Sequence, residues 1–345
     1  MRVLAAPAFA NRRANPYNAL LYDALRARGV DVGELDIDHV DRSGLDVVHL
    51  HWPESPLNKR RRRAAVYRSV QLFAVLARLR RGGVRVVWTA HNLRSHFGRY
   101  PRAERLWWKA FLPLVDGWIS LSPTAAEATV RAHPRLAGVA HAIVPHGHYR
   151  DAYPDADRAS SRRALQLTDD DRLVLFLGRV KPYKGVLELC EVFRSLPDDH
   201  AHLLVAGRCD EPQLAAAVRD LAVGDARITL RLEEVPEGEM TALLRAADLV
   251  VLPFRDVLNS GSALLALSFD APVLCPRTGA LGELADAQPD WVTAYDGPLT
   301  PALLAQRLAA PRPAGRPDLS AYEWGRIAEQ TEDFYTSVLG HGRTP

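Results

Sequence analysis

The chain has 345 residues, 48% apolar and 25% charged, the make-up of a packed globular protein and not of a disordered or collagen-like one. That length exceeds what one hydrophobic core serves, so two domains of roughly 150 residues each are expected, and no apolar run approaches the roughly 20 residues that span a bilayer. The net charge of +3 hides an asymmetry, with 24 Lys and Arg against 11 Asp and Glu in residues 1–150 and 20 against 30 in the rest, so an acidic partner that is not nucleic acid is expected on the first half.

Short β-rich runs alternate with longer helical patterns, the signature of parallel sheets flanked by helices. The opening run, Arg2 to Ala5, is too short for a signal peptide and reads as a first buried strand, which places the protein in the cytoplasm. Asn15-Pro16 signals a helix from Tyr17 to Arg28 that Gly29 stops. Further strands are expected at Val30 to Leu35, Val47 to His51, Arg85 to Thr89, Gly117 to Leu121 and Ala142 to Val144. Asp36-Ile37-Asp38 has the letters of a metal-holding carboxylate pair, but it follows an early strand and precedes a loop, so it reads as a solvated turn and no metal site is expected. Lys59 to Arg63, with Arg68, Arg78, Arg80 and Arg81 around the apolar run Val70 to Ala77, make an amphipathic basic helix. Such a helix suits an anionic lipid surface, at the inner face of the membrane, or an anionic acceptor, as well as a plain solvated face. Ser122 caps and Pro123 opens a helix through Ala132.

Between Tyr149 and Asp171 the pattern breaks into a linker with one short helix. The domains are therefore set at 1–155 and 156–318, with 319–345 as a tail whose amphipathic stretch, Ala321 to Val338, forms a helix returning to the first domain. A second alternation runs through strands Leu173 to Leu177, Leu203 to Ala206, Ile228 to Leu230, Leu249 to Leu252 and Val273 to Cys275. The fold class is α/β, with two doubly wound Rossmann-like domains whose strand carboxyl ends face a ligand-binding cleft. The three cysteines, Cys190, Cys209 and Cys275, lack metal-ligand spacing and read as unpaired thiols.

Two segments of the second half carry chemistry. Gly178-Arg179-Val180-Lys181-Pro182-Tyr183-Lys184-Gly185 leaves a strand, presents three cations and enters a helix, a placement that suits a diphosphate. Asn259-Ser260-Gly261-Ser262 stands at the start of an apolar helix, where free backbone N–H groups favour an anion. Together with Leu203 to Gly207, Ala246 to Pro253 and Ala271-Pro272-Val273, these segments resemble the donor domain of GT-B glycosyltransferases related to family 4, over most of residues 170–300. The resemblance implies that Arg179 and Lys184 hold the diphosphate of a nucleoside-diphosphate sugar, a UDP- or GDP-sugar, that serves as co-substrate with no bound cofactor. It also implies that Leu232, Val235 and Pro236 lie near the base, and that Ser260 to Ser262 contact phosphate or sugar. One feature departs from that family: Val257 and Leu265 stand where it carries a Glu-x7-Glu pair, and Asp256 is the nearest carboxylate.

In the first half, Asn15-Pro16-Tyr17, His49 to Glu54, Trp88 to Leu93 and Val144 to Tyr149 resemble a branch of bacterial polysaccharide and glycolipid glycosyltransferases. His91 takes the place of that family's histidine near the anomeric carbon of the donor. A lone histidine at a strand end is more often structural; the Thr89-Ala90-His91-Asn92 context favours function. By the resemblance His91 assists catalysis through hydrogen bonding; an inverting transfer needs a general base, for which His51 and Glu54 are the candidates, whereas a retaining transfer needs none. Asn15, Trp52, Asn92, His146 and His148 complete the acceptor side. The expected reaction moves a hexosyl residue to a hydroxyl of a glycan, glycolipid or small metabolite. A sugar-nucleotide 2-epimerase and a non-catalytic nucleotide-sugar binder are the alternatives.

Overall fold

The computed structural model describes residues 1–13, 15–93, 100–259 and 261–340. The chain divides into two compact units, one of residues 1–147 together with the stretch from Ala321 on, the other His148–Ser320.

The first unit is a six-stranded parallel sheet with strands β1 (Arg2–Ala6), β2 (Asp31–Glu34), β3 (Val47–Leu50), β4 (Arg85–Thr89), β5 (Gly117–Ser120) and β6 (Ala140–Ile143), in the order β2-β1-β3-β4-β5-β6. Helices α1 (Tyr17–Ala27), α2 (Arg62–Arg81), α3 (Pro101–Phe111) and α4 (Pro123–Ala132) follow strands β1, β3, β4 and β5. Successive strand side chains point to opposite faces, and the two cores sort accordingly. Leu4, Val48, Val86, Trp88 and Trp118 pack with Leu72 and Leu76 of α2 and Trp108 and Phe111 of α3. Val3, Ala5, Val47, Val87 and Ile119 pack on the other face with Tyr17, Leu21 and Leu25 of α1. That second face is completed by the C-terminal helix, Trp324–Gly340, which buries Ile327, Phe334, Tyr335 and Val338. Each such side chain contributes about 1.5–3 kcal/mol when removed from water, so the tail is part of this unit's core. Trp324 lies so close to the backbone of Gly147 that a Cβ there would collide with its indole.

The second unit has its own six-stranded parallel sheet: β7 (Arg172–Leu177), β8 (Ala201–Ala206), β9 (Ile228–Arg231), β10 (Leu249–Val251), β11 (Val273–Pro276) and β12 (Val292–Tyr295), in the order β12-β11-β10-β7-β8-β9. Around it lie α5 (Arg158–Ala164), α6 (Val186–Arg194), α7 (Pro212–Ala222), α8 (Glu237–Ala246), α9 (Gly261–Ser268), α10 (Gly279–Ala287) and α11 (Pro301–Ala309). Strand β12, absent from the sequence reading, pairs with β11 through Val292 to Tyr295. The segment read as a linker is built into this unit. Arg158 and Arg162 both reach Asp248, at 2.5 and 2.8 Å, and Arg158 also donates to the carbonyls of Arg245, Ala246 and Ala247 that end α8. The unit runs from His148, and the residues after it are tied into it: the Tyr149 N–H donates to Ser268 Oγ at 2.8 Å and Arg150 donates to the Pro317 carbonyl at 2.7 Å.

In each sheet the chain order reverses once, at β1 and β3 in the first and at β7 and β10 in the second. Loops leaving those strands are where doubly wound sheets bind ligands.

Candidate active site

In the second unit, β7 ends at Leu177, and the Gly178 N–H donates to the Ala206 carbonyl at 2.9 Å. A single turn, Pro182 to Lys184, then leads to Gly185 in the left-handed region at φ 68°. A Cβ on Gly185 would collide with the Pro253 carbonyl, and the Arg255 N–H donates to the Tyr183 carbonyl at 2.7 Å. The loops after the two switch-point strands are thereby locked to each other.

The three cations of this turn have different surroundings. Lys181 pairs with Glu211 at 3.2 Å, which takes it out of the set available to a ligand. Arg179 is 59% exposed and stands 3.7 Å from Asp210, which is itself bound by Arg208 at 2.5 Å. Lys184 lies against the ring of Phe254, 4.9 Å from its centroid, and its pKa is lowered to about 8, by burial first and by Arg179 second. A buried Lys184 opposed by a nearby, exposed Arg179 is an arrangement that a diphosphate would relieve.

The remaining candidates of this unit are distributed around those loops. Asn259, Gly261 and Ser262 are half-buried at the start of α9, Asp256 is exposed on the preceding loop, and Ser260 lies outside the described residues. Leu232 and Val235 are half-buried after β9, and Pro236 is exposed at the start of α8. His148 is buried and accepts the Arg150 N–H at 3.2 Å. Val257 and Leu265 are half-buried.

The first unit brings its histidines together at the ends of β3 and β4. His51 Nδ1 and His91 Nε2 are 2.9 Å apart. Trp52 stacks on the His91 imidazole, with centroids 4.6 Å apart at 23°, and the Tyr17 ring meets it edge-on at 5.0 Å. Behind His91 runs a buried series: His51 Nε2 to the Tyr22 hydroxyl at 2.5 Å, Tyr22 to His49 Nδ1 at 2.9 Å, His49 Nδ1 to the Tyr335 hydroxyl at 2.6 Å, and His49 Nε2 to Thr89 Oγ1 at 2.7 Å. Burial pushes the His49 pKa down to about 3 and His51 well below its usual value, the latter also opposed by His49 and His91. Both rings are therefore neutral at working pH.

Two expectations about acids and bases need correction. His51 is 1% exposed with both ring nitrogens engaged, so it stands behind His91 and not against an acceptor. Glu54 is 2% exposed, and burial raises its carboxyl pKa to about 8, which favours the protonated form at neutral pH. His146 is buried under Tyr17 at 4.6 Å, its Nδ1 2.8 Å from the Gly147 carbonyl, and burial lowers its pKa to about 4. Asn15 Oδ1 accepts the Tyr17 N–H at 3.1 Å, just ahead of α1. Asn92 and Trp52 are half-buried beside His91. In the Asp36-Ile37-Asp38 segment, Asp38 is bound by Arg68 of α2 at 2.8 Å and by Gln71.

Residues 171–309 match the family described as glycosyl transferases group 1. A GDP-mannose:glycolipid 4-beta-D-mannosyltransferase of Xanthomonas campestris pv. campestris is 34% identical over 334 residues, 96% of this chain and 90% of the relative. The chain is a group 1 glycosyltransferase. Solved structures agree on the GT-B architecture. Sucrose-phosphate synthase from Thermosynechococcus elongatus aligns over 98% of this glycosyltransferase and 96% of its own chain with a TM-score of 0.65 at 18% identity. Anabaena HepE, in complex with UDP and glucose, covers 98% of each chain with a TM-score of 0.63 at 14% identity.

Beside this histidine cluster the glycosyltransferase also places Tyr22, Tyr335 and Trp324, for which no site role was expected, along with Tyr17 and His49 of the motifs quoted for the resemblance. His49 offered one signal, a titratable side chain in a strand whose four residues are all buried.

Proposed function

We propose that this glycosyltransferase moves mannose from GDP-mannose to a hydroxyl of a lipid-linked glycan, forming a β-glycoside with inversion. The reading is carried by the 34% identity, over nearly the whole chain, to a GDP-mannose:glycolipid 4-beta-D-mannosyltransferase. The second unit holds the donor, with Lys184 and Arg179 on the diphosphate and the N–H groups opening α9 as further donors. His91, in the first unit, removes the acceptor proton. The acceptor oxygen bonds to C1 as the C1–O bond to phosphate breaks, and the electron pair leaves on the diphosphate, whose charge the two cations neutralise. A β product from an α-linked sugar nucleotide requires such a base. The absence of Glu-x7-Glu at Val257 and Leu265 goes with a donor site unlike that of the family 4 pattern.

The acceptor also explains the surface of the first unit. Helix α2 exposes Val66, Tyr67 and Val70, by 55%, 66% and 61%, after the run Arg60 to Arg63, and α3, which packs against α2, exposes Leu106 by 68%. Apolar side chains among cations suit peripheral docking on an anionic membrane, where a glycolipid would be met; among the described residues no helix is long and apolar enough to cross one.

The test is to incubate the protein with GDP-mannose and lipid-linked oligosaccharide in vesicles containing phosphatidylglycerol, and to read the product by NMR. A β-linked mannose is expected; an α-linkage, or transfer only from UDP-sugars, rejects the reading. Vesicle retention at low salt that survives Tyr67→Ser combined with Val70→Ser rejects the docking face.

A further inference from the structure

The loop after β10 brings a further cation to the turn that carries Lys184. Residues 253–255 wrap that turn closely. The Pro253 carbonyl lies where a Cβ on Gly185 would stand, the Phe254 ring lies 4.9 Å from the Lys184 ammonium, and the Arg255 N–H donates to the Tyr183 carbonyl at 2.7 Å. The Tyr183 hydroxyl, whose pKa burial raises first, is acted on by both Asp256 and Arg179, so the residue after Arg255 and the exposed cation of the turn face the same ring. Arg255 therefore springs from the stretch of backbone that holds Lys184 in place.

Its guanidinium is weakly held. The side chain is 64% exposed, and among the described residues it meets only Glu188 of α6, at 3.4 Å. An ion pair of that length between partly solvated groups contributes little. Lys181, by contrast, is 3.2 Å from Glu211 with its side chain only 23% exposed. Glu188 has a second partner in the Leu299 N–H at 3.3 Å, so it stays satisfied when the arginine leaves. Arg255 is thus able to exchange a carboxylate for a phosphate without stranding a buried charge.

Resting on the reading of Lys184 and Arg179 as donor residues, we propose that Arg255 is a third diphosphate-binding residue, which leaves Glu188 for the phosphate oxygens of the donor. The transfer itself gives a third cation something to do. A sugar nucleotide carries one negative charge on each phosphoryl group; when the C1–O bond breaks, its electron pair stays on the diphosphate oxygen and adds another. Lys184 and Arg179 match the charge of the intact donor, and Arg255 matches the charge that appears as the sugar departs. The paired N–H groups of a guanidinium suit phosphate oxygens. Arg255 accordingly favours the released nucleoside diphosphate over the intact sugar nucleotide.

Calorimetric titration of the full-length protein with GDP and with GDP-mannose tests the assignment. Arg255→Gln should bind GDP about 10-fold more weakly, the loss of one charged hydrogen bond, with a smaller loss for GDP-mannose, and Arg255→Lys should recover part of the difference. Glu188→Gln removes the competing carboxylate, keeps an oxygen for the Leu299 N–H, and should bind GDP at least as tightly as the wild type. A purely structural pair predicts instead that Glu188→Gln and Arg255→Gln weaken GDP binding alike, and that result overturns the proposal. Wild-type GDP affinity in Arg255→Gln, with Lys184→Met weakened, also overturns it and leaves the donor site standing. Wild-type affinity in both variants rejects the donor reading and the proposal with it. Where Arg255→Gln does not fold, Glu188→Gln decides, since weaker GDP binding there contradicts the exchange.

Discussion

The backbone N–H of Arg255 donates to the carbonyl of Tyr183 at 2.7 Å, joining the turn after β7 to the loop after β10. These strands are neighbours in the sheet although they are far apart in sequence, and the turn so fixed presents Lys184. The proposed donor site is thus set by backbone contacts at a topological switch point and not by side-chain packing alone.

Gly185→Ala is the sharpest test of that joint. The residue sits at φ 68° and a Cβ would meet the Pro253 carbonyl, so the variant pays both left-handed strain and a backbone collision. A loss of about 1–3 kcal/mol is expected in denaturant unfolding, together with weakened donor binding. Unchanged stability and affinity would mean that the two loops are not held in register by this contact.

Lys184 is a cation kept at a cost. Its pKa of about 8 in the folded chain, lowered chiefly by burial, lies below the unbound value of 10.5. The unfolded chain binds more protons between those values, so this group makes stability rise with pH from about 8 to about 10.5. Lys184→Met should remove that slope and raise stability at pH 7 by about 1–3 kcal/mol. Thermal unfolding at pH 7 and pH 10 checks both.

Glu54 has the opposite sign of dependence. Its folded pKa of about 8 lies above the ordinary 4.5 because of burial, so the unfolded chain binds fewer protons across that window and stability falls as pH rises through it. Glu54→Gln should flatten the profile and stabilise the protein at pH 7 by up to about 3 kcal/mol, with transfer activity retained. An inactive but folded Glu54→Gln would return this carboxyl to the catalytic set.

His91→Ala should lower kcat by about 10²–10⁴-fold, the range of a lost general base, while the donor dissociation constant stays within about 2-fold. Stopped-flow transfer and donor titration separate the two effects. A wild-type rate would take His91 out of the chemistry.

Much of this architecture was legible in the sequence. Runs such as Leu203 to Ala206 and Val86 to Trp88 are continuous and apolar because parallel strands are buried on both faces, and the glycines and cations after β7 mark a strand-to-helix turn. Strand β12 was not legible: Val292, Thr293, Ala294 and Tyr295 include two half-buried positions, which is weak periodicity in four residues. The site was legible only where residues neighbour one another in sequence. Trp52 and His91 meet across two strands, and Tyr335 reaches His49 from a helix 286 residues away, pairings that only the folded sheet creates. Burial likewise separated His51 and Glu54 from the solvent-facing roles that their residue types suggested.

Calorimetric titration of GDP-mannose into the wild type and Lys184→Met at pH 7 decides whether the cations after β7 hold the donor diphosphate. At least a 10-fold weaker dissociation constant is expected for the variant, about 1.4 kcal/mol for one charged hydrogen bond. Equal affinities in two folded proteins would contradict it.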